Sequence, residues 1–113
     1  VAQFDVHKNP DSSTNRAIPF LLDVQADLLE NLATRVVIPL YSVSVFGSPA
    51  KHLNPKFTIK RKVVVMSTAE LADVPVTVLG EKIVNLKQER EAIIAALNFL
   101  FTGIREIQVR GKR

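Results

Sequence analysis

The side chains able to do chemistry in this chain are few and do not gather. His7 and His52 fall in separate polar stretches with no carboxylate at ligand spacing, so they read as solvated loop histidines rather than zinc ligands. No cysteine is present, which removes disulfides, thiolate nucleophiles and thiolate metal sites. Ser12, Ser13 and Ser67 lack the context of a nucleophile elbow. Gly47, Gly80, Gly103 and Gly111 are too scattered to form a phosphate loop. Asp23 and Asp27 stand four apart, but the surrounding LLDVQADLL reads as a strand entering a turn, where carboxylates accept backbone N–H groups. Lys60, Arg61 and Lys62 form the one compact cation cluster of the body; with no aromatic residue among them they read as a solvated turn, not a nucleic-acid platform. Catalysis needs titratable groups converging on a pocket, and none announces itself. The expectation is a binder: no enzyme, no catalytic residue, no metal and no cofactor.

The feature that marks a binder is the segment 86–104, LKQEREAIIAALNFLFTGI. It opens polar, and from Ala92 to Phe101 only Asn98 is polar. A helix resting on one core needs a single apolar stripe, whereas one oily around its circumference must be covered on several sides. In a short chain, part of that cover comes from another polypeptide. Glu89 and Glu91 suit the positive end of such a helix. Ile93, Leu97, Leu100 and Ile104 keep a 3–4 residue spacing, and Gly103 is placed as the C-terminal stop. Asn98 in this run needs a partner, within its own chain or outside it. Leu28 and Leu29 raise the same question, since adjacent residues of an extended chain cannot both face one core.

The elements that must carry these residues are mostly short strands. Residues 1–6 and 17–24 read as a pair around the polar loop 7–16. Residues 27–34 connect to a third, β-branched strand over 34–45, interrupted by Pro39. Residues 46–55 are loop, 57–66 split into two strands around Lys60, Arg61 and Lys62, 68–71 fit one helical turn, and 74–79 read as a further strand ending at Gly80. Many strands followed by one helix predict a mainly β (α+β) fold, a small antiparallel barrel or sandwich with a C-terminal helix packed on it.

A chain of 113 residues, 47% hydrophobic and 23% charged, is the composition of one folded domain. No apolar run reaches the ~20 residues of a membrane span, and VAQFDVHKNP lacks a signal-peptide layout; with no cysteine, a cytoplasmic protein is expected. The formal charge of +4 is uneven: REIQVRGKR, over 105–113, carries a net +3 and leaves only +1 for the rest. A domain over 1–104 is therefore expected, followed by a basic extension over 105–113 that is either a native tail or a cloning remnant.

LDVQADLLENLATRVVIPL, ADVPVTVLGEKIVNL and ALNFLFTGI, in that order, resemble the CcdB family of toxins, the poison halves of plasmid-type or chromosomal toxin–antitoxin pairs. The resemblance runs from about Gln3 to Ile104. It implies an SH3-like barrel with a C-terminal helix, a cytoplasmic homodimer, and a target in the A subunit of DNA gyrase, which the family traps on cleaved DNA by binding alone. It also implies a cognate antitoxin whose disordered tail folds onto the toxin. Family positions for gyrase binding fall on Leu28, Leu29, Asn98, Phe101, Thr102, Gly103 and Ile104. Thr102 stands where the best-known member has Trp, and Thr cannot stack on a partner cation as Trp does. Nine residues follow Ile104, where the family pattern ends. Lys51, Lys56, Lys60, Arg61 and Lys62 suit an acidic antitoxin tail; no direct nucleic-acid contact and no membrane are expected. Two other readings are an RNA-cleaving toxin of the related barrel fold, using Arg35, Glu30 and Lys60, Arg61 and Lys62, and a relative that has lost gyrase poisoning.

Overall fold

The computed structural model describes residues 1–103. Seven strands form one antiparallel sheet: β1 (Asp5–Lys8), β2 (Phe20–Asp23), β3 (Thr34–Ser42), β4 (Lys56–Ile59), β5 (Lys62–Met66), β6 (Ala72–Pro75) and β7 (Lys82–Asn85). Their order is β4-β5-β3-β2-β1-β7, with β6 paired to the free stretch of β3. One short helical turn, α1 (Val43–Phe46), follows β3, and the helix α2 (Arg90–Thr102) closes the described chain. The sheet curls into a half-barrel that carries α2, the small antiparallel barrel with a terminal helix expected from the sequence. Register explains the core. Leu22 lies opposite both Val6 and Ile38, and Leu40 opposite Met66, so these side chains share one face of the sheet. α2 lays Ile93 and Ala96 against that face.

Pro39 does not break β3. The strand pairs with β2 along its whole centre, but its other edge changes partner: β6 over Thr34 to Val37, β5 over Leu40 to Ser42. Pro39 sits at the changeover, where its missing N–H removes no ladder bond. Its carbonyl still accepts Ser67 N–H at 3.1 Å. Beyond Ser42 the chain leaves the sheet, and the expected strand end over 43–45 is instead α1, stopped at Gly47 with φ 88°.

Other boundaries also differ from the sequence reading. β1 starts at Asp5, because Phe4 takes φ 72° and donates its N–H to Asp23 O. The strand then runs through His7, which is a buried strand residue and not a loop histidine: its Nδ1 donates to Gly80 O at 3.0 Å. The strand expected over 74–79 is β6 followed by a 3₁₀ turn at Val76–Val78, and β7 is a strand that the sequence pattern does not mark. A 3₁₀ turn at Lys87–Glu89 leads into α2, with Asn85 Oδ1 accepting Lys87 N–H at 2.8 Å. Gly103 ends α2 as expected, in the left-handed region with its N–H on Phe99 O at 2.8 Å. The β4–β5 turn, like Phe4 and His52, uses left-handed backbone without glycine. Lys60 and Arg61 alone join the paired Ile59 and Lys62, with φ of 49° and 70°. That geometry favours Asn-Gly, and a non-glycine residue there costs about 1–2 kcal/mol.

Candidate functional site

α2 is only partly covered. Ile93 and Ala96 are buried, Ile94, Ala95, Leu97, Phe99 and Leu100 are half-buried, and Asn98, Phe101, Thr102 and Gly103 are exposed. Phe101 leaves 71% of its surface in water, an expensive place for a ring. The helix meets the Thr68–Glu70 turn and sets Ile94 and Leu97 against the core, and near its end the Phe99 ring lies beside His52, with ring centroids 6.0 Å apart. Thr102 Oγ1 donates back to Asn98 O at 2.7 Å, tying the last turn together. Ile104 lies outside the described residues.

Leu28 and Leu29 fall in a 3₁₀ turn, Asp27–Leu29, between β2 and β3. Neither faces the core: Leu28 is 96% exposed and Leu29 49%, and Leu32 beside them is also exposed. This apolar turn is held by a polar clamp. Arg35 donates to Asp23 through Nε at 2.7 Å and Nη2 at 3.0 Å, with both side chains fully buried. Asp23, on β2, lies opposite Val37; Arg35 lies two residues before Val37 on β3 and so shares that face, opposite the core. Asp23 Oδ1 also accepts Gln25 N–H at 2.9 Å. The Gln25 carboxamide then spans the gap. Its Oε1 accepts Val36 N–H at 3.0 Å, and its Nε2 donates to Leu29 O at 2.9 Å. Asp27 Oδ1 accepts Gln3 N–H at 2.8 Å from the other side. Sequence DVQ-x-D thus builds a rigid stem under two solvent-facing leucines.

The remaining candidates are dispersed. Lys51, Lys56, Lys60, Arg61 and Lys62 are all exposed, with Lys56 opening β4 and Lys60 and Arg61 closing its far end. Arg35 is sealed in its ion pair, so it cannot reach a phosphate, and the RNA-cleaving reading loses its best cation. Among the described residues no three His, Asp or Glu side chains gather closely enough to hold a metal ion, and no helix is long and apolar enough to cross a membrane.

A family model described as CcdB protein matches residues 3–103. The chain belongs to the CcdB family. CcdB proteins are gyrase-poisoning toxins of toxin–antitoxin systems and act without catalysis. The family implies two partners, an antitoxin and the gyrase A chain. The two exposed apolar groups, at the end of α2 and on the Asp27–Leu29 turn, are where the resemblance places gyrase contacts. What sequence reasoning misses is the clamp. Asp23 does accept Gln25 N–H as a turn carboxylate should, but its main partner is Arg35. The available signal is the lone charge of Arg35 at the head of the otherwise apolar RVVIPL, on an alternating face that buries both Arg35 and Val37.

Proposed function

We propose that this toxin works as a cytoplasmic homodimer that grips the gyrase A chain with Leu28, Leu29, Asn98, Phe101, Thr102, Gly103 and Ile104. The observation that carries the reading is the exposure of Phe101 and Leu28, two large apolar side chains held out on firm supports, one on a helix and one on a clamped turn. Large exposed apolar side chains on rigid elements mark contact surfaces. Pairing two chains would cover the half-buried flank of α2 and bring the separate apolar groups of the protomers onto one surface. Thr102 removes a stacking ring from this surface, which leaves Phe101 as its aromatic anchor. The exposed Lys51, Lys56, Lys60, Arg61 and Lys62 form the antitoxin's electrostatic approach, which predicts an association rate falling with salt.

A gyrase cleavage assay tests the main reading. Wild type should accumulate double-strand breaks, while Phe101→Ala should bind gyrase A at least tenfold more weakly with an unchanged melting temperature. Breaks at wild-type level with Phe101→Ala would reassign the site. No breaks from the wild-type chain, with or without residues 105–113, would remove the gyrase reading.

A further inference from the structure

The charges of this chain are unevenly placed along it. Residues 31–69 contain no Asp or Glu, while Lys51, Lys56, Lys60, Arg61 and Lys62 all fall within them and all are exposed. A surface carrying one sign of charge sets up a potential that draws in partners of the other sign. The fold brings one of these cations toward the end of α2. Lys51 precedes His52, whose ring lies beside that of Phe99 with the planes tilted by 55°. The Phe99 carbonyl also accepts Gly103 N–H and closes the helix. Thr102 stands three residues after Phe99 and so shares its side of the helix. His52, Thr102 and Gly103 are all exposed.

The turn that presents Lys51 and His52 is anchored at both ends. Ala50 O accepts the N–H groups of Leu53 and Asn54, at 3.1 and 3.0 Å, and Ala50 N–H donates to Asn54 Oδ1 at 2.9 Å. Asn54 Nδ2 donates in turn to Met66 O at 3.0 Å, at the end of β5. Leu53 O accepts the Thr68 hydroxyl, which ties the turn to the Thr68–Glu70 turn as well. His52 itself takes φ 73°, so its side chain leaves the backbone in a direction that ordinary extended or helical chain does not give. Side chains carried on fixed backbone have less freedom left to lose on binding.

We infer that Lys51 and His52 are a further part of the surface that grips the gyrase A chain, and that the segment they meet is acidic. The Lys51 ammonium meets a carboxylate of the partner, and the His52 ring extends the apolar contact made by Phe101. The inference rests on the gyrase reading and deepens it: the grip gains a third element, the loop between α1 and β4, beside α2 and the Asp27–Leu29 turn. Two observations fit this occupant. The turn adjoins the end of α2 through the His52 and Phe99 rings, so a protein seated on Phe101 and Thr102 lies against it. The acid-free stretch 31–69 suits a partner that brings carboxylates, and it does not suit the chain's own 105–113 segment, whose net charge is +3.

The test measures binding of the full chain to the gyrase A chain without DNA, at low and at high salt. Reversing the charge with Lys51→Glu should weaken binding about tenfold at low salt, with the difference shrinking as salt rises. His52→Asn removes the ring while keeping a residue that tolerates left-handed backbone, so it should leave the melting temperature unchanged and weaken binding about fivefold. His52→Phe should do the opposite: a bulky residue at positive φ lowers the melting temperature, yet the retained ring keeps the affinity. A residue that only shapes the turn would move stability and affinity together. Sedimentation should give every variant the mass of wild type. Unchanged affinity in Lys51→Glu and His52→Asn, an effect of Lys51→Glu that appears only when DNA is added, or an altered mass that accompanies the lost binding would each overturn the inference. Absence of binding by wild type would remove the gyrase reading itself, whereas wild-type binding that Phe101→Ala weakens and both turn variants retain would remove the turn alone.

Discussion

Replacing Arg35 by Met leaves the Asp23 carboxylate fully buried with its guanidinium gone and Gln25 N–H as its remaining partner. Breaking a buried pair from one side costs about 3–5 kcal/mol, because the orphaned charge has already lost its water. Set against a total stability of about 5–15 kcal/mol, that is a large fraction. At roughly 4 °C per kcal/mol for a chain of this length, the melting temperature should fall by about 12–20 °C. The double variant Asp23→Leu, Arg35→Met behaves differently. It removes both charges, and with them the Arg35 Nη1, which has no hydrogen-bond partner among the described residues. It also takes the acceptor from Gln25 N–H, a loss of about 1–3 kcal/mol that is similar in size to the relief of an unsatisfied buried donor. The two cancel to first order, so the double variant should melt within a few degrees of wild type. Urea melts of the two single variants and the double give the coupling energy directly. A single Arg35→Met variant that loses less than about 1 kcal/mol would mean that water reaches the pair, and the argument for a dry clamp would be wrong. Because Gln25 leans on Asp23 and holds Leu29, the double variant should still bind gyrase A more weakly despite its recovered stability.

The same geometry gives narrower expectations. Gln25→Leu leaves Val36 N–H without its acceptor and frees Leu29 O, so it should cost about 1–3 kcal/mol in a urea melt and speed hydrogen exchange in the Asp27–Leu29 turn. Gly80→Ala would set a Cβ 2.6 Å from Lys8 O, against backbone that cannot move aside cheaply; a loss of about 1–3 kcal/mol is expected, read as an earlier thermal midpoint. Burial pushes the Asp5 carboxyl up, but hydrogen bonds from Asn85 and the Ala2 N–H, together with Lys82, outweigh it and hold the group below its ordinary value. A depressed carboxylate adds stability that is complete above the unfolded value near pH ~4 and is lost as pH falls through the lower folded value. Denaturation midpoints at successive pH values should therefore drop less steeply on the acid side in Asp5→Asn than in wild type; parallel curves would contradict this.

Six of the seven strands, the terminal helix and its glycine stop follow from local pattern, because alternation, β-branching and a left-handed cap are written in neighbouring residues. The apolar excess of α2 and the two adjacent leucines are likewise legible as surfaces one chain cannot fully bury. Pairing decides the rest. Pro39 is an interruption in the linear pattern, yet the change of partner from β6 to β5 gives its missing N–H a harmless place. His7 has the polar neighbours of a loop residue, yet β1 pairs with β2 and β7 on either side of it. β7 itself has little pattern of its own and exists because β1 offers it an edge. Asp23 and Arg35 are twelve residues apart, and no spacing rule joins them; antiparallel register does. The sequence determined which surfaces are apolar and which residues carry charge. Only the tertiary structure decided which charge is sealed beneath the leucine turn and which stay exposed, since burial and ion pairing depend on neighbours brought from distant parts of the chain.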